Sequence, residues 1–180
     1  MNEKDLQIEN LLEDKKKQKK IDGKSKGNRT ELNLCKILTS FFNLSFTRSI
    51  GSGNRWGQVK LSDNAKQVFT GDICVPEGFK WVIESKGGYE KDIDLNGVCD
   101  GGISRLDFFI EQSLKDSEYC GRKPLICWKR NRKPWLSMIL LKDLEFVNCE
   151  IFEYRIHYRD WLIIKLEDLL NFTKKDFWFK

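Results

Sequence analysis

The chain has 180 residues, 32 Lys+Arg against 27 Asp+Glu, and a net charge of +5. That length suits one domain of about 150 residues plus a tail, enough to bury a core without disulfide staples. A 40% hydrophobic content with 12% aromatics excludes a disordered chain, no apolar run reaches the roughly 18 residues of a membrane span, and with His157 as the only imidazole, serine-protease-type triads and most zinc-hydrolase sites lose ground.

The polar start, from Met1 to Asn10, does not have the character of a signal peptide, so a cytoplasmic location is expected. Cys35, Cys74, Cys99, Cys120, Cys127 and Cys149 show no Cys-x-x-Cys pair. Free thiols fit them better than disulfides or zinc. Leu6, Ile8, Leu11 and Leu12 recur at roughly helical spacing, ahead of a basic run. That run holds Lys15, Lys16, Lys17, Lys19, Lys20, Lys24, Lys26 and Arg29, opposed only by Asp22. Two compatible readings are open: a solvated arm and a contact with a phosphate backbone. The chain therefore divides into an N-terminal helix and basic arm over 1–27 and a domain over 28–180.

Within the domain, Leu32, Cys35, Leu38, Thr39 and Phe42 form a helical stripe with Glu31 at its start. Strands are predicted over 44–50, 67–75 and 80–86, the last two joined by the turn Pro76-Glu77-Gly78. Ile103, Leu106, Phe109 and Ile110 predict one face of a helix over 103–115. Further strands are predicted over 124–128, 135–141 and 161–166, with a closing helical turn at 167–171. This order describes an α/β domain with a mixed sheet flanked by helices.

The chemistry concentrates in Thr70-Gly71-Asp72-Ile73-Cys74 and Trp81-Val82-Ile83-Glu84-Ser85-Lys86. Residues two apart in a strand share a face, so Glu84 and Lys86 project together. Pairing of the two strands brings Asp72 beside Glu84. Adjacent carboxylates repel unless a cation stands between them, and Mg²⁺ prefers such oxygen ligands. A lysine two residues on can orient an attacking water and offset charge on a phosphorane. Glu-x-Lys alone also suits a solvated strand edge, but here Phe69, Ile73, Val75, Trp81, Val82 and Ile83 make both strands apolar, where unpaired charge is unusual.

Asp72, Glu84 and Lys86 in consecutive strands resemble the core of the PD-(D/E)XK nucleases, in its Glu-x-Lys form. The helix opening Lys26-Gly27-Asn28-Arg29-Thr30-Glu31-Leu32 resembles the first helix of that fold, with Glu31 matching the metal-supporting glutamate of the Holliday-junction-resolvase branch. Thr47-Arg48-Ser49-Ile50-Gly51-Ser52-Gly53 is similar to that branch's arginine and Ser/Gly loop. One departure stands out: Gly71, not proline, precedes Asp72. The resemblance covers roughly residues 26–141 and implies a restriction-endonuclease-like core that hydrolyses DNA phosphodiester bonds with Mg²⁺, Mn²⁺ substituting. It implies Asp72, Glu84 and the Ser85 carbonyl as metal ligands, Glu31 for a second cation or its water, and Lys86 at the attacking water. Gln112, in Leu106-Asp107-Phe108-Phe109-Ile110-Glu111-Gln112, matches a glutamine-bearing helix of phage and resolvase-like members. Both an auxiliary polar contact and a solvent-facing residue remain open for it.

Lys129, Arg130, Asn131, Arg132 and Lys133 lie between two apolar strands. They read as a solvated hairpin tip or as a DNA-backbone clamp. Trp128 and Trp135 beside them are read as packing residues. With Lys26, Arg29, Arg48, Ser52 and Arg55, the basic residues Lys129, Arg130 and Arg132 form the candidate DNA-binding set. No strand–Gly-x-x-x-x-Gly-Lys–helix arrangement occurs, so no nucleotide cofactor is expected. Expected partners are DNA, branched DNA included, and a second copy of the chain in a two-fold dimer. A resolvase acting in a bacterial or phage-infected cytoplasm stands first. A restriction-type or general phage nuclease, and a non-catalytic nucleic-acid-binding module of the same fold, stand beside it.

Overall fold

A computed structural model of the chain describes residues 23–49, 69–89, 93, 101–144 and 146–180. Ser52, Arg55, Cys99 and the helix expected from Leu6, Ile8, Leu11 and Leu12 lie outside them. Helix α1 spans Gly23–Phe42, so it starts ahead of the expected Lys26. Strands β1 (Thr47–Arg48) and β2 (Ile73–Cys74) form a small antiparallel pair. A five-stranded sheet follows, in the order β3-β4-β5-β7-β6. Its members are β3 (Trp81–Gly87), β4 (Lys123–Lys129), β5 (Trp135–Leu140), β6 (Arg155–Tyr158) and β7 (Trp161–Lys165). Helix α2 (Arg105–Cys120) carries the crossover that makes β3 and β4 parallel, while β4–β5, β5–β7 and β6–β7 are antiparallel. Helices α3 (Leu166–Phe172) and α4 (Lys175–Trp178) close the chain. The mixed sheet between helices is a restriction-endonuclease-like α/β core.

Strand alternation sorts the side chains into two layers. Trp81, Ile83, Leu125, Cys127, Ile139, Leu162 and Ile164 pack with Leu34 and Leu38 of α1, Leu169 of α3 and Trp178 of α4. Ile126, Trp128, Met138, Leu140 and Ile163 pack with Leu106, Phe109 and Ile110 of α2. The even-numbered positions of β3, Glu84 and Lys86 among them, thus face α2, and the odd-numbered ones face α1.

Several expected boundaries move. Among the described residues, the strands expected over 44–50 and 67–75 are two residues long each, with residue 69 helical and residues 70–72 in bends. The backbone around them is satisfied irregularly: Ser49 N donates to Asp72 O at 2.9 Å and Ser49 Oγ to Phe69 O at 3.0 Å. Helix α2 starts after Ser104, whose side chain accepts from Leu106 N while Asp107 accepts from Ser104 N, a capping box. Ile103, expected on the buried face, precedes the cap and is 86% exposed. Strand β6, which carries the exposed His157, falls where the sequence predicts no strand. Trp128 and Trp135 are buried, as read: their indole N–H groups donate to Gly88 O and Asn33 Oδ1. The five described cysteines are free thiols. Among the described residues no helix is long and apolar enough to cross a membrane.

Candidate active site

Glu84 sits inside β3, 3% exposed, and points at α2. Its Oε1 accepts from Lys86 Nζ at 2.5 Å and from Gln112 Nε2 at 2.5 Å. Lys86 Nζ also donates to Gln112 Oε1 at 2.7 Å. The three side chains close a ring in which Gln112 satisfies both charged groups. Gln112 is exposed and at the same time bonded to both protein groups; whether it contacts water or phosphate is a separate matter. One helical turn further on, Asp116 lies close enough to Glu84 and Lys86 for both to act on its carboxyl. Sequence reasoning missed Asp116; its position four residues after Gln112, on the same helix face, was the available signal.

Asp72 reaches this cluster from the turn before β2. Its N–H donates to Ile83 O at 2.9 Å, and its Oδ2 accepts from Ser85 N at 2.8 Å. These two bonds straddle Glu84 and bring the carboxylates within hydrogen-bonding reach of each other. The turn explains the missing proline. Gly71 has φ +85°, and a Cβ there would lie 2.8 Å from Ile83 O. Proline is locked near φ −65° and cannot take this conformation.

Burial pushes the Asp72 carboxyl up to about 6, with the Ser85 N–H opposing the rise and the Glu31 charge adding to it. Glu84 is pushed well above the ordinary carboxylate range by burial first and the Asp72 charge second, with Lys86 pulling the other way. Asp116 is raised by burial as well. Among the described residues, Lys86 is the ammonium that acts on these acids, which burial and mutual repulsion keep hard to ionise together.

Glu31 comes from the other face of the sheet. Helix α1 approaches the end of β3 at Gly87, where a Cβ would lie 2.6 Å from Thr30 Oγ1. That approach puts Glu31 near enough to act on Asp72, but its carboxylate pairs with the Arg48 guanidinium. Arg48, expected at DNA, pairs with Glu31 while its side chain stays 30% exposed. Among the described residues no group of three or more His, Cys, Asp or Glu stands together as a metal site.

The basic turn lies at the same end of the sheet. Lys86 and Gly87 pair in register with Trp128 and Lys129, and Gly88 N donates to Lys129 O at 2.8 Å. The Arg130 guanidinium stacks over Trp128, 5.3 Å from the ring centroid. Lys129 Nζ donates to Lys133 O, and Arg132 caps the turn at φ +54°. Residues 131–134 are exposed. Arg29 is exposed and Lys26 half-buried in the first turns of α1, the part of that helix next to Gly87.

A mixed sheet between helices, with an acid entering one short strand and Glu-x-Lys on the next, defines a PD-(D/E)XK nuclease core. The family model described as "phage putative PDDEXK endonuclease" matches residues 22–179, and the chain belongs to that family. No curated protein and no solved structure matches the chain.

Proposed function

We propose that this chain is a metal-dependent DNA endonuclease that hydrolyses phosphodiester bonds in a bacterial or phage-infected cytoplasm. The observation that carries the reading is the buried contact of Asp72, Glu84 and Lys86, supported by membership of the family. Charged groups are costly to bury and are retained where they act. The donor set fits a hard divalent cation such as Mg²⁺ or Mn²⁺: two adjacent carboxylates whose ionisation burial and mutual repulsion oppose, a repulsion that a cation between them would relieve. Asp72, Glu84 and the Ser85 carbonyl would hold it. When bound, such a cation supplies charge that stabilises the phosphorane and favours ionisation of water.

The remaining roles belong to the chain. Lys86, fixed by Glu84 and Gln112, orients the attacking water and offsets charge developing on the phosphoryl oxygens. Glu31 acts through Arg48 and the field at Asp72, a more indirect part than a ligand of its own. Lys129, Arg130 and Arg132, with Lys26 and Arg29, hold the phosphate backbone on either side. A resolvase would use two copies of the site across a junction, as a two-fold dimer.

A cleavage panel of four-way junctions, linear duplex and single strands, with and without Mg²⁺, tests this reading. Metal-dependent cuts are expected, and preference for the junction assigns the resolvase activity. Equal cutting of linear duplex assigns a general or restriction-type nuclease. Metal-independent binding with no cleavage of any substrate would favour the non-catalytic module.

A further inference from the structure

Outside the ring at Glu84, one surface continues it. Arg105, Phe108, Gln112 and Asp116 recur at three- and four-residue intervals and share a face of α2. The C-terminal half of that stripe touches Glu84. Its N-terminal half is open: Phe108 is 55% exposed, while its neighbour Phe109 is 3% exposed and belongs to the core. The Arg105 guanidinium lies 5.2 Å from the Tyr89 ring centroid and 5.6 Å from that of Phe108. Tyr89 meets Phe109 edge-on at 5.1 Å, and Lys86 Nζ stands 5.4 Å from the Phe109 centroid. An unbroken series of ring and cation contacts therefore runs from Lys86 to the exposed face of Phe108. Gly88 and Tyr89 both hold positive φ, at +94° and +62°, which turns the chain leaving β3 onto α2. For a tyrosine that backbone is uncommon and costs on the order of 1 kcal/mol, a strain typical of ligand-contacting positions.

We propose that Phe108, Arg105 and Tyr89 form a stacking platform for an unpaired nucleobase next to the scissile phosphate. The substrate class this assigns is DNA with unpaired nucleotides at the cut: a flap, a fork or a branch point. The proposal deepens the nuclease reading and rests on it for the position of the scissile phosphate. An intact duplex keeps its base faces stacked on one another and offers none to Phe108. A displaced base offers a π-face to the ring, and its phosphate is attracted by Arg105.

The test places 2-aminopurine at the unpaired position of a forked duplex and follows its fluorescence on binding the full chain, in EDTA and in Ca²⁺. Stacking is expected to change the fluorescence. Phe108→Ala is expected to weaken binding of the fork by roughly tenfold, within the range seen for removing one base–aromatic stack, and to lower the fork-to-duplex ratio in Mg²⁺-dependent cleavage. Phe146→Ala, at an exposed aromatic beyond β5, serves as the control and is expected to leave both unchanged. Arg105→Gln is expected to act in the same direction as Phe108→Ala, and circular dichroism checks that each variant folds. An unaltered fork-to-duplex ratio and fork affinity in folded Phe108→Ala would overturn the platform while leaving the nuclease reading intact. A fluorescence response without cleavage of any substrate would overturn the nuclease reading and leave the platform standing.

Discussion

Gly71 adopts φ +85°, and a Cβ at that position would press on Ile83 O and Val82 Cγ2, both at 2.8 Å. Alanine there meets a backbone carbonyl as well as the short, stiff side chain of Val82. Gly71→Ala is expected to cost about 1–3 kcal/mol, through the forced left-handed backbone and the overlap, and to pull Asp72 off the Ser85 N–H. A thermal melt measures the first effect and the cleavage rate the second. Asp72 itself should reveal its burial through pH. Its folded carboxyl titrates at about 6, above the ordinary 3.8 of an aspartate, so the folded state binds the proton more tightly than the unfolded chain. The stabilisation from that proton is complete below about pH 4 and is lost as pH rises through 6, on the order of 3 kcal/mol. Without metal, Asp72→Asn is expected to be more stable than the native chain at pH 7 and to lose that advantage by pH 4. Melts across that range check it; an advantage that grows toward low pH would contradict the shift.

At the level of elements, the C-terminal aromatics tie the sheet to its last helices. Trp178 is 1% exposed and packs against Phe42, Phe79 and Trp81, while its carbonyl accepts from Lys80 N at 2.8 Å. Trp178→Ala is expected to cost about 3–5 kcal/mol, and Ser104→Ala, which removes the cap of α2, about 1 kcal/mol, both read from urea unfolding. The central strand β3 and helix α2 were legible in the sequence because their apolar periods are strong and their length is ordinary. So were Asp72, Glu84 and Lys86, because charge inside an apolar strand is itself a signal. Strands β1 and β2 read too long, since polar Ser49 replaces apolar packing there with hydrogen bonds. Edge strand β6 gave no alternation because three of its four residues are exposed. The place of Glu31 was hidden for another reason: a helix's own spacing does not say on which face of a sheet it packs.

For the whole molecule, the sheet end that carries Lys86 also carries Lys129, Arg130 and Arg132, so the basic turn and the proposed centre share one end of the sheet. Replacing those three by Gln is expected to lower the slope of log affinity against log salt by about two to three, near one for each phosphate no longer neutralised. Fluorescence anisotropy with duplex DNA over a salt series measures that slope. The proposed hydrolysis stands on Asp72, Glu84 and Lys86 acting as one centre. The most direct measurement is the rate of Mg²⁺-dependent cleavage of labelled DNA by the native chain, Asp72→Asn and Lys86→Ala, each checked for folding. The native chain is predicted to cut, and each variant to fall by roughly 100-fold or more. Cleavage by either folded variant at the native rate would contradict that centre.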